Sequence, residues 1–341
     1  LSLALKPVAD LTKASIALGV AMLALSSLVA LWVGVALTRK LRILVEQTSK
    51  ISQGDLDIAL EVTGGDEVGK LGRSVHAMAQ ELKRFLREMV QKARMDEELR
   101  TARMVQETLF PEGDFRLGLV EIAGASESAS ECGGDFWFRW HSGKDAFFIL
   151  ADATGHGVPA ALITSAARAA IAVAESLSIH DLNQIVRILD NAIRETSKGK
   201  ILMTAIVGRI DPDRNLQFIN CSHEAPILFD LNQNRLEILS GGKNPRLGDI
   251  EEGERNYEIT KCSLEDDQIM FLYTDGLTEA ANEAGAVLGA RQFTNIVKRN
   301  LLRGPEFNSQ LKLIIENVKV HTKGRVDDDM TVMAIRTAHA A

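Results

Sequence analysis

Cysteine is scarce in this sequence. Cys132, Cys221 and Cys262 are the only three in 341 residues, and none stands in a CxxC or CxxH spacing. That excludes a disulfide framework and a thiolate zinc site, and it fits reduced, cytosolic thiols. A basic excess is absent as well. Against 46 acidic residues stand 39 lysines and arginines, a net charge of −7, so no domain is equipped to neutralise nucleic-acid phosphates. No internal repeat or low-complexity tract occurs. The sequence also lacks an initiating methionine, so an upstream segment is expected, with 1–13 as the extracytoplasmic end of a sensor region.

Charge is missing locally from Ala14 to Leu37. At 1.5 Å per residue this run crosses a ~30 Å hydrocarbon layer, and no small-residue cleavage site follows it. A transmembrane helix is expected over 14–37. Arg39, Lys40 and Arg42 crowd its C-terminal end, while Lys6 and Lys13 on the other side are offset by Asp10. Everything downstream is therefore expected to be cytoplasmic.

Leu41 to Gln53 follows, with Leu41, Leu44, Val45, Thr48 and Ile51 on one stripe and Gly54 as its stop. After the extended-looking Leu56 to Leu60, a second stripe runs Val68, Leu71, Val75, Met78 and Leu82. Each helix has one apolar face and no partner except its copy in another chain, so a parallel dimeric four-helix bundle is expected. Gln53-Gly54-Asp55-Leu56 and Asp66-Glu67-Val68-Gly69-Lys70-Leu71, placed after a membrane helix, resemble a HAMP signal-relay domain over 38–85. That family usually has proline where this chain has Lys40. The plainer alternative is a membrane-proximal coiled coil.

Glycine and proline are absent from Glu81 to Leu109, so a continuous helical stalk is expected, with 86–110 as a coiled-coil linker and homodimer contact. Leu82, Phe85 and Met89 fit one seam; Leu99, Ala102 and Leu109 fit another, offset by two heptads plus three. The phase slips between Lys92 and Asp96. Such a slip is expected to pass an upstream rotation on as an altered dimer arrangement.

Phe110-Pro111 breaks the helix, and 111–341 reads as an effector domain of short strands and a few amphipathic helices. Strands are expected over Leu119 to Ala123, Phe136 to Trp140, Ala146 to Ala151, Thr204 to Ile210, Leu216 to Asn220, Ile227 to Leu231, Gln268 to Thr274 and Thr331 to Ile335. Helices are expected over Val158 to Ser176, Leu182 to Ser197, Arg291 to Leu302 and Phe307 to Val320. Turns rather than helices join most strands, which predicts an α+β fold of antiparallel sheets with helices on their outer faces.

Phe147 to Ala151 is an apolar strand that ends on Asp152 and runs into Gly155-His156-Gly157, after which Val158-Pro159 opens a helix. Taken alone, Asp152 is equally a cap for that helix. Three further strand ends or turns carry acids: Gly133-Gly134-Asp135, Thr274-Asp275-Gly276 and Asp327-Asp328-Asp329. The triplet repels itself unless a cation neutralises it, and only Arg325 is near in sequence. Oxygen ligands without a histidine–cysteine pattern point to a hard octahedral cation, Mg²⁺ or Mn²⁺.

These pieces, with Gln106 and Leu109-Phe110-Pro111, Asn220 with His223 and Pro226, Leu247-Gly248, and Leu272 to Ala280, resemble the SpoIIE and RsbU branch of the PPM (PP2C-like) metal-dependent serine/threonine protein phosphatases over Met104 to Arg336. The resemblance implies a two-layer antiparallel sandwich flanked by helices, with two divalent cations at one edge. Asp152 would bridge both, Asp275 and Asp328 complete one site, and Asp135 with the Ala153 carbonyl serve the other. Asp329 would orient these ligands. A water activated by the two metals would attack directly, with no protein nucleophile. His156 and His223 read as helix-start and turn residues. The implied substrate is a phosphorylated regulatory protein, a STAS-type anti-sigma-factor antagonist, at a bacterial inner membrane. Two departures stand out: Phe138 replaces an acid that relatives carry near the second metal, and Asn220-Cys221-Ser222-His223 replaces an Asn-Ala-Gly-His turn. A rival from another class is a degenerate module that binds its partner without hydrolysis.

Overall fold

A computed structural model describes residues 2–59, 61, 64–111, 113, 115–130, 132–242, 244–250, 255–301 and 307–337, without side chains for 2–10. Leu1 and the expected element ends at Leu60 and Leu302 lie outside the described residues. The chain divides into two compact units, Leu1–Asp96 and Glu97–Ala341.

In the first unit the apolar run extends into one helix, α1 (Ser2–Ser52), which passes Lys40 without a break. Its most apolar window has a mean hydropathy of 2.3 and buries nothing, so α1 is apolar and long enough to span a membrane. Gly54, at φ 92°, stops it. The second helix, α2 (Glu67–Glu107), starts at Asp66, whose Oδ1 accepts the Gly69 N–H at 2.8 Å as a cap. Lys40 Nζ donates to the other oxygen of Asp66 at 2.7 Å. Where the family has proline, this chain thus joins the membrane-proximal turn of α1 to the start of α2. The connector between them is stitched down: Gln47 Nε2 donates to Ala59 O at 2.8 Å, and Leu56 and Ile58 are buried with Leu44 and Ala79. Leu41, Val45, Leu71, Met78 and Leu82 from the expected stripes stay exposed.

In the second unit, the apolar run before Asp152 becomes a deeply buried strand. Phe147 to Ala151 are each fully shielded from solvent, because both faces of that strand are covered. In chain order the strands are β1 (Phe115–Leu117), β2 (Val120–Glu127), β3 (Asp135–Ser142), β4 (Asp145–Ala153), β5 (Met203–Ile210), β6 (Asn215–Cys221), β7 (Ile227–Asp230), β8 (Arg235–Ile238), β9 (Thr260–Ser263), β10 (Gln268–Tyr273) and β11 (Met330–Thr337). They form two antiparallel sheets, ordered β1-β2-β11-β10-β7-β8 and β3-β4-β5-β6-β9. Helices α3 (Val158–Ser176) and α4 (Leu182–Ser197) cover the outer face of the second sheet. Helices α5 (Gly289–Leu301) and α6 (Phe307–His321) cover the first. A third core lies between the sheets, built on Trp137, Phe148, Leu150, Phe218, Leu272 and Met333. Helix α3 is apolar enough to resemble a membrane span, but Ala160, Ile163, Ala167, Ile171 and Ala174 pack into the domain.

The expected helices α3 and α4 coincide with the observed ones, and the eight expected strands all form within a few residues. β1, β8 and β9 were not expected. They are three or four residues long, lie at or beside sheet edges, and carry polar sequences such as Thr260-Lys261-Cys262-Ser263, which leave no alternating apolar signal.

Candidate metal centre

Register brings the acids together. Asp135 pairs directly with Asp152 across β3 and β4, and Asp152 pairs with Thr204 on β5. Directly paired residues share a face, and Trp137 and Leu150 show which one: Asp135 and Asp152 point between the sheets, at their edge. From the opposite sheet, Thr274 follows β10 and its Oγ1 donates to Asp135 Oδ2 at 2.8 Å. Asp275 opens a 3₁₀ turn, Asp275–Leu277, immediately after. The Thr331 N–H donates to Thr274 Oγ1 at 2.9 Å, which seats the start of β11, and hence Asp327-Asp328-Asp329, beside Asp275.

The members of the triplet separate by role. Asp327 pairs with Arg325 at 2.7 Å, so that cation is already engaged. Asp329 is buried and accepts only backbone amides: Ala129 N at 2.8 Å on Oδ1, and Gly134 N at 2.5 Å and Asp135 N at 3.4 Å on Oδ2. It locks the loop before β3 to the loop before β11. Asp328 lies beside Asp275 with the residue open to solvent on one side and its carboxyl partly screened on the other. Two glycines are there for space. A Cβ on Gly276 would sit 2.1 Å from the Asp329 carbonyl oxygen, and one on Gly134 would sit 2.8 Å from the Ala153 carbonyl oxygen.

Mutual repulsion shows in the acidities. Burial first, then Asp275, Asp328 and Asp329, push Asp152 up to about 7. Burial first, then Asp152 and Asp329, hold Asp135 well above the usual carboxylate range against hydrogen bonds from Thr331 and Thr274. Asp328 is raised by burial and by Asp275, although the Asp329 N–H opposes this. Among the described residues no three acidic, histidine or cysteine side chains already close on one point as a cage. The donor set nonetheless fits hard divalent cations: oxygens only, clustered and repelling, with the one neighbouring arginine committed elsewhere.

Gln106, noted above only as part of the resemblance, gains a contact here, and Glu224 and Glu279 gain a place that the sequence reading did not give them. Gln106, near the end of α2, is buried; its Nε2 donates to Gly133 O at 2.7 Å and its Oε1 accepts Gly133 N–H at 3.1 Å, one residue from Gly134. Glu224 and Glu279 lie close enough to Asp275 and to each other to raise the Glu224 carboxyl, after burial. Glu279 was within reach of sequence reasoning, since it stands one helical turn after Asp275. His156 is exposed at the start of α3. Phe138 requires a correction: it points to the helix layer, the face opposite Asp135 and Asp152, where Arg168 of α3 stacks 3.7 Å over its ring. An acid there would not border the cluster.

The family model for Stage II sporulation protein E (SpoIIE) matches residues 142–338, more than half the chain, and that for the HAMP domain matches 32–84. The chain belongs to the SpoIIE family. Its metal-dependent PP2C-like serine/threonine phosphatases are the kin of residues 142–338, which include Asp152, Ala153, Asp275, Asp328 and Asp329, while Asp135 lies just before that SpoIIE match. Protein IcfG of Synechocystis sp. is 26% identical over 325 residues, 86% of this chain and 50% of its own length. Phosphoserine phosphatase RsbU of Bacillus subtilis is 21% identical over 240 residues, 70% of each chain. The chain thus spans about half the length of one curated relative. Among solved structures, the SiaA-PP2C domain of Pseudomonas aeruginosa has a TM-score of 0.60 at 22% identity, covering 72% of this chain and 98% of that one. The RsbU and RsbW domains of Rv1364c from Mycobacterium tuberculosis reach 0.56 at 21% identity, covering 65% and 61%. At these identities the likeness establishes the SpoIIE-type fold.

Proposed function

We propose that this chain is a membrane-anchored, signal-gated protein serine/threonine phosphatase acting on a phosphorylated regulatory protein. The observation that carries the reading is the convergence of Asp135, Asp152, Asp275 and Asp328 at one sheet edge, where burial first and their mutual repulsion second push Asp152 to about 7. In this reading Asp152 faces two Mn²⁺ or Mg²⁺ sites, Asp275 and Asp328 complete one, and Asp135 with the Ala153 carbonyl completes the other. The two cations, when bound, supply Lewis-acid activation of water and charge neutralisation at the phosphoryl group. The chain's own residues hold the geometry: Asp329 clamps two loops through backbone amides, and Thr274 fixes Asp135 through its hydroxyl. No side chain acts as nucleophile.

The domain limits expected from the sequence, 14–37, 38–85, 86–110 and 111–341, carry over to this proposal. The uncharged run of α1 with Arg39, Lys40 and Arg42 behind it supports anchoring in a bacterial inner membrane with the rest cytoplasmic. The exposed Leu41, Val45, Leu71, Met78 and Leu82 support a homodimer through the HAMP helices and stalk. The phosphoserine phosphatase RsbU, and the pairing of RsbU and RsbW domains in Rv1364c, favour an anti-sigma-factor antagonist of the STAS type as the phosphoprotein. The non-catalytic alternative drew on Phe138, which lies away from the acids. Full-length protein in detergent should release phosphate from such a phosphoprotein with Mn²⁺, and Asp152→Asn and Asp275→Asn should each abolish release. Undiminished release by either variant would refute the assignment.

A further inference from the structure

His223 sits in a turn, as its sequence suggests, but its ring reaches both sheets. It follows Ser222, at φ 55°, beyond the end of β6. Its N–H donates to Asn220 Oδ1 at 2.8 Å, and Asn220 Nδ2 donates to its carbonyl at 3.1 Å, so the turn is clamped from both sides and the ring has one direction to take. Ring Nδ1 lies 2.8 Å from Thr204 Oγ1. Thr204 is the cross-strand partner of Asp152 and shares its face, with Cβ atoms about 5 Å apart in such pairs. Nε2 is shut off from solvent without a hydrogen bond of normal geometry. The backbone of Tyr273, at the end of β10 in the other sheet and two residues before Asp275, acts on the same ring.

The charge of the ring follows from its surroundings. Burial lowers the imidazole to about 4, so the ring is neutral at physiological pH. Nδ1 and the Thr204 hydroxyl share one hydrogen bond, in which the tautomer decides the donor, and the Tyr273 backbone opposes the lowering from its own side of the ring. One imidazole therefore reaches from the β5 residue opposite Asp152 toward the end of β10, two residues before Asp275.

We propose that His223 and Thr204 form a strut that sets the spacing between Asp152 in one sheet and Asp275 in the other, making His223 a positioning residue for cation binding. The inference rests on the reading of these aspartates as metal ligands. Nothing in the mechanism above uses either side chain. Partners of metal ligands typically alter affinity by about 10- to 100-fold, and a two-member strut is broken by removing either end.

The test is calorimetric Mn²⁺ binding to the full-length, metal-free protein in detergent, without substrate. His223→Leu and Thr204→Val should each weaken Mn²⁺ binding by about tenfold or more, and the double variant should be no weaker than either single one. Thr204→Ser, which keeps the hydroxyl, should bind as wild type does. Thermal unfolding of the metal-free proteins separates a loosened site from an unfolded domain; if His223→Leu fails to fold, Thr204→Val reads the same strut. Wild-type affinity in well-folded Thr204→Val, or single losses that multiply in the double variant, would overturn the strut alone. A wild-type chain that binds no Mn²⁺ would instead overturn the metal reading on which the strut depends.

Discussion

Asp152 and Asp329 are chemically identical side chains whose surroundings give them opposite tasks. Asp329 receives three backbone amides, whereas Asp152 is raised by burial and by three neighbouring carboxylates. The sign of the stability effect follows. Below the ordinary carboxylate range both folded and unfolded chains hold the Asp152 proton. As pH rises from about 4 to about 7 only the folded chain still binds it, so stability is lost across that window, by at most about 4 kcal/mol. Metal-free protein should melt at a lower temperature at pH 7.5 than at pH 5. Asp152→Asn should flatten that fall, and saturating Mn²⁺ should abolish it in the wild type; a melting temperature that rises across the window in EDTA would contradict the electrostatic account. Gly276 belongs to the same scale. Gly276→Ala places a methyl group 2.1 Å from the Asp329 carbonyl, so the two loops must part. The expected result is a loss of roughly 1–3 kcal/mol in denaturant unfolding together with weaker Mn²⁺ binding.

At the scale of elements, strand register decides which departures from the family matter. Phe138 is three residues from Asp135 on the same strand, and an odd separation turns it to the opposite face, against Arg168. Phe138→Asp should therefore leave Mn²⁺ affinity within about twofold of wild type, because the new carboxylate meets the guanidinium of α3 rather than the metal edge; a larger change would mean that the two faces communicate. Gln106 makes the converse case: a polar residue on a charged helix, unremarkable by composition, is buried against Gly133. The elements legible beforehand are those whose signal is local. Phe147 to Ala151 is a fully apolar run, and Val158-Pro159 announces a helix start. The four acids were legible as strand ends and turns, but the amides that claim Asp329 and the hydroxyl that fixes Asp135 come from residues more than a hundred positions away. No spacing rule along the chain contains them. β8 and β9 escaped for a related reason: edge strands owe their pairing to a neighbour's backbone, not to their own side-chain pattern.

For the whole molecule, α2 is one helix with two clients. Leu82, Phe85 and Met89 are exposed, whereas Leu99 and Ala102 are partly buried and Gln106 is fully so. The expected phase slip between Lys92 and Asp96 coincides with the division of the chain into two units at Asp96 and Glu97. The upstream seam thus presents apolar side chains to solvent, while the downstream seam is partly covered and its last member, Leu109, packs on the core beneath α3 and α4. If the proposed gating runs along α2, its route to the acids is the contact of Gln106 with Gly133, since Gly134 beside it donates to Asp329. Inserting seven residues at the slip adds nearly two full turns and restores the phase, whereas inserting two turns the downstream seam by about 200° relative to the upstream one. With the full-length protein in membranes, the seven-residue insertion should keep the wild-type basal phosphatase rate and the two-residue insertion should change it several-fold. If the phase of α2 were immaterial the two proteins would turn over alike, and the stalk would then be a tether rather than a transmission.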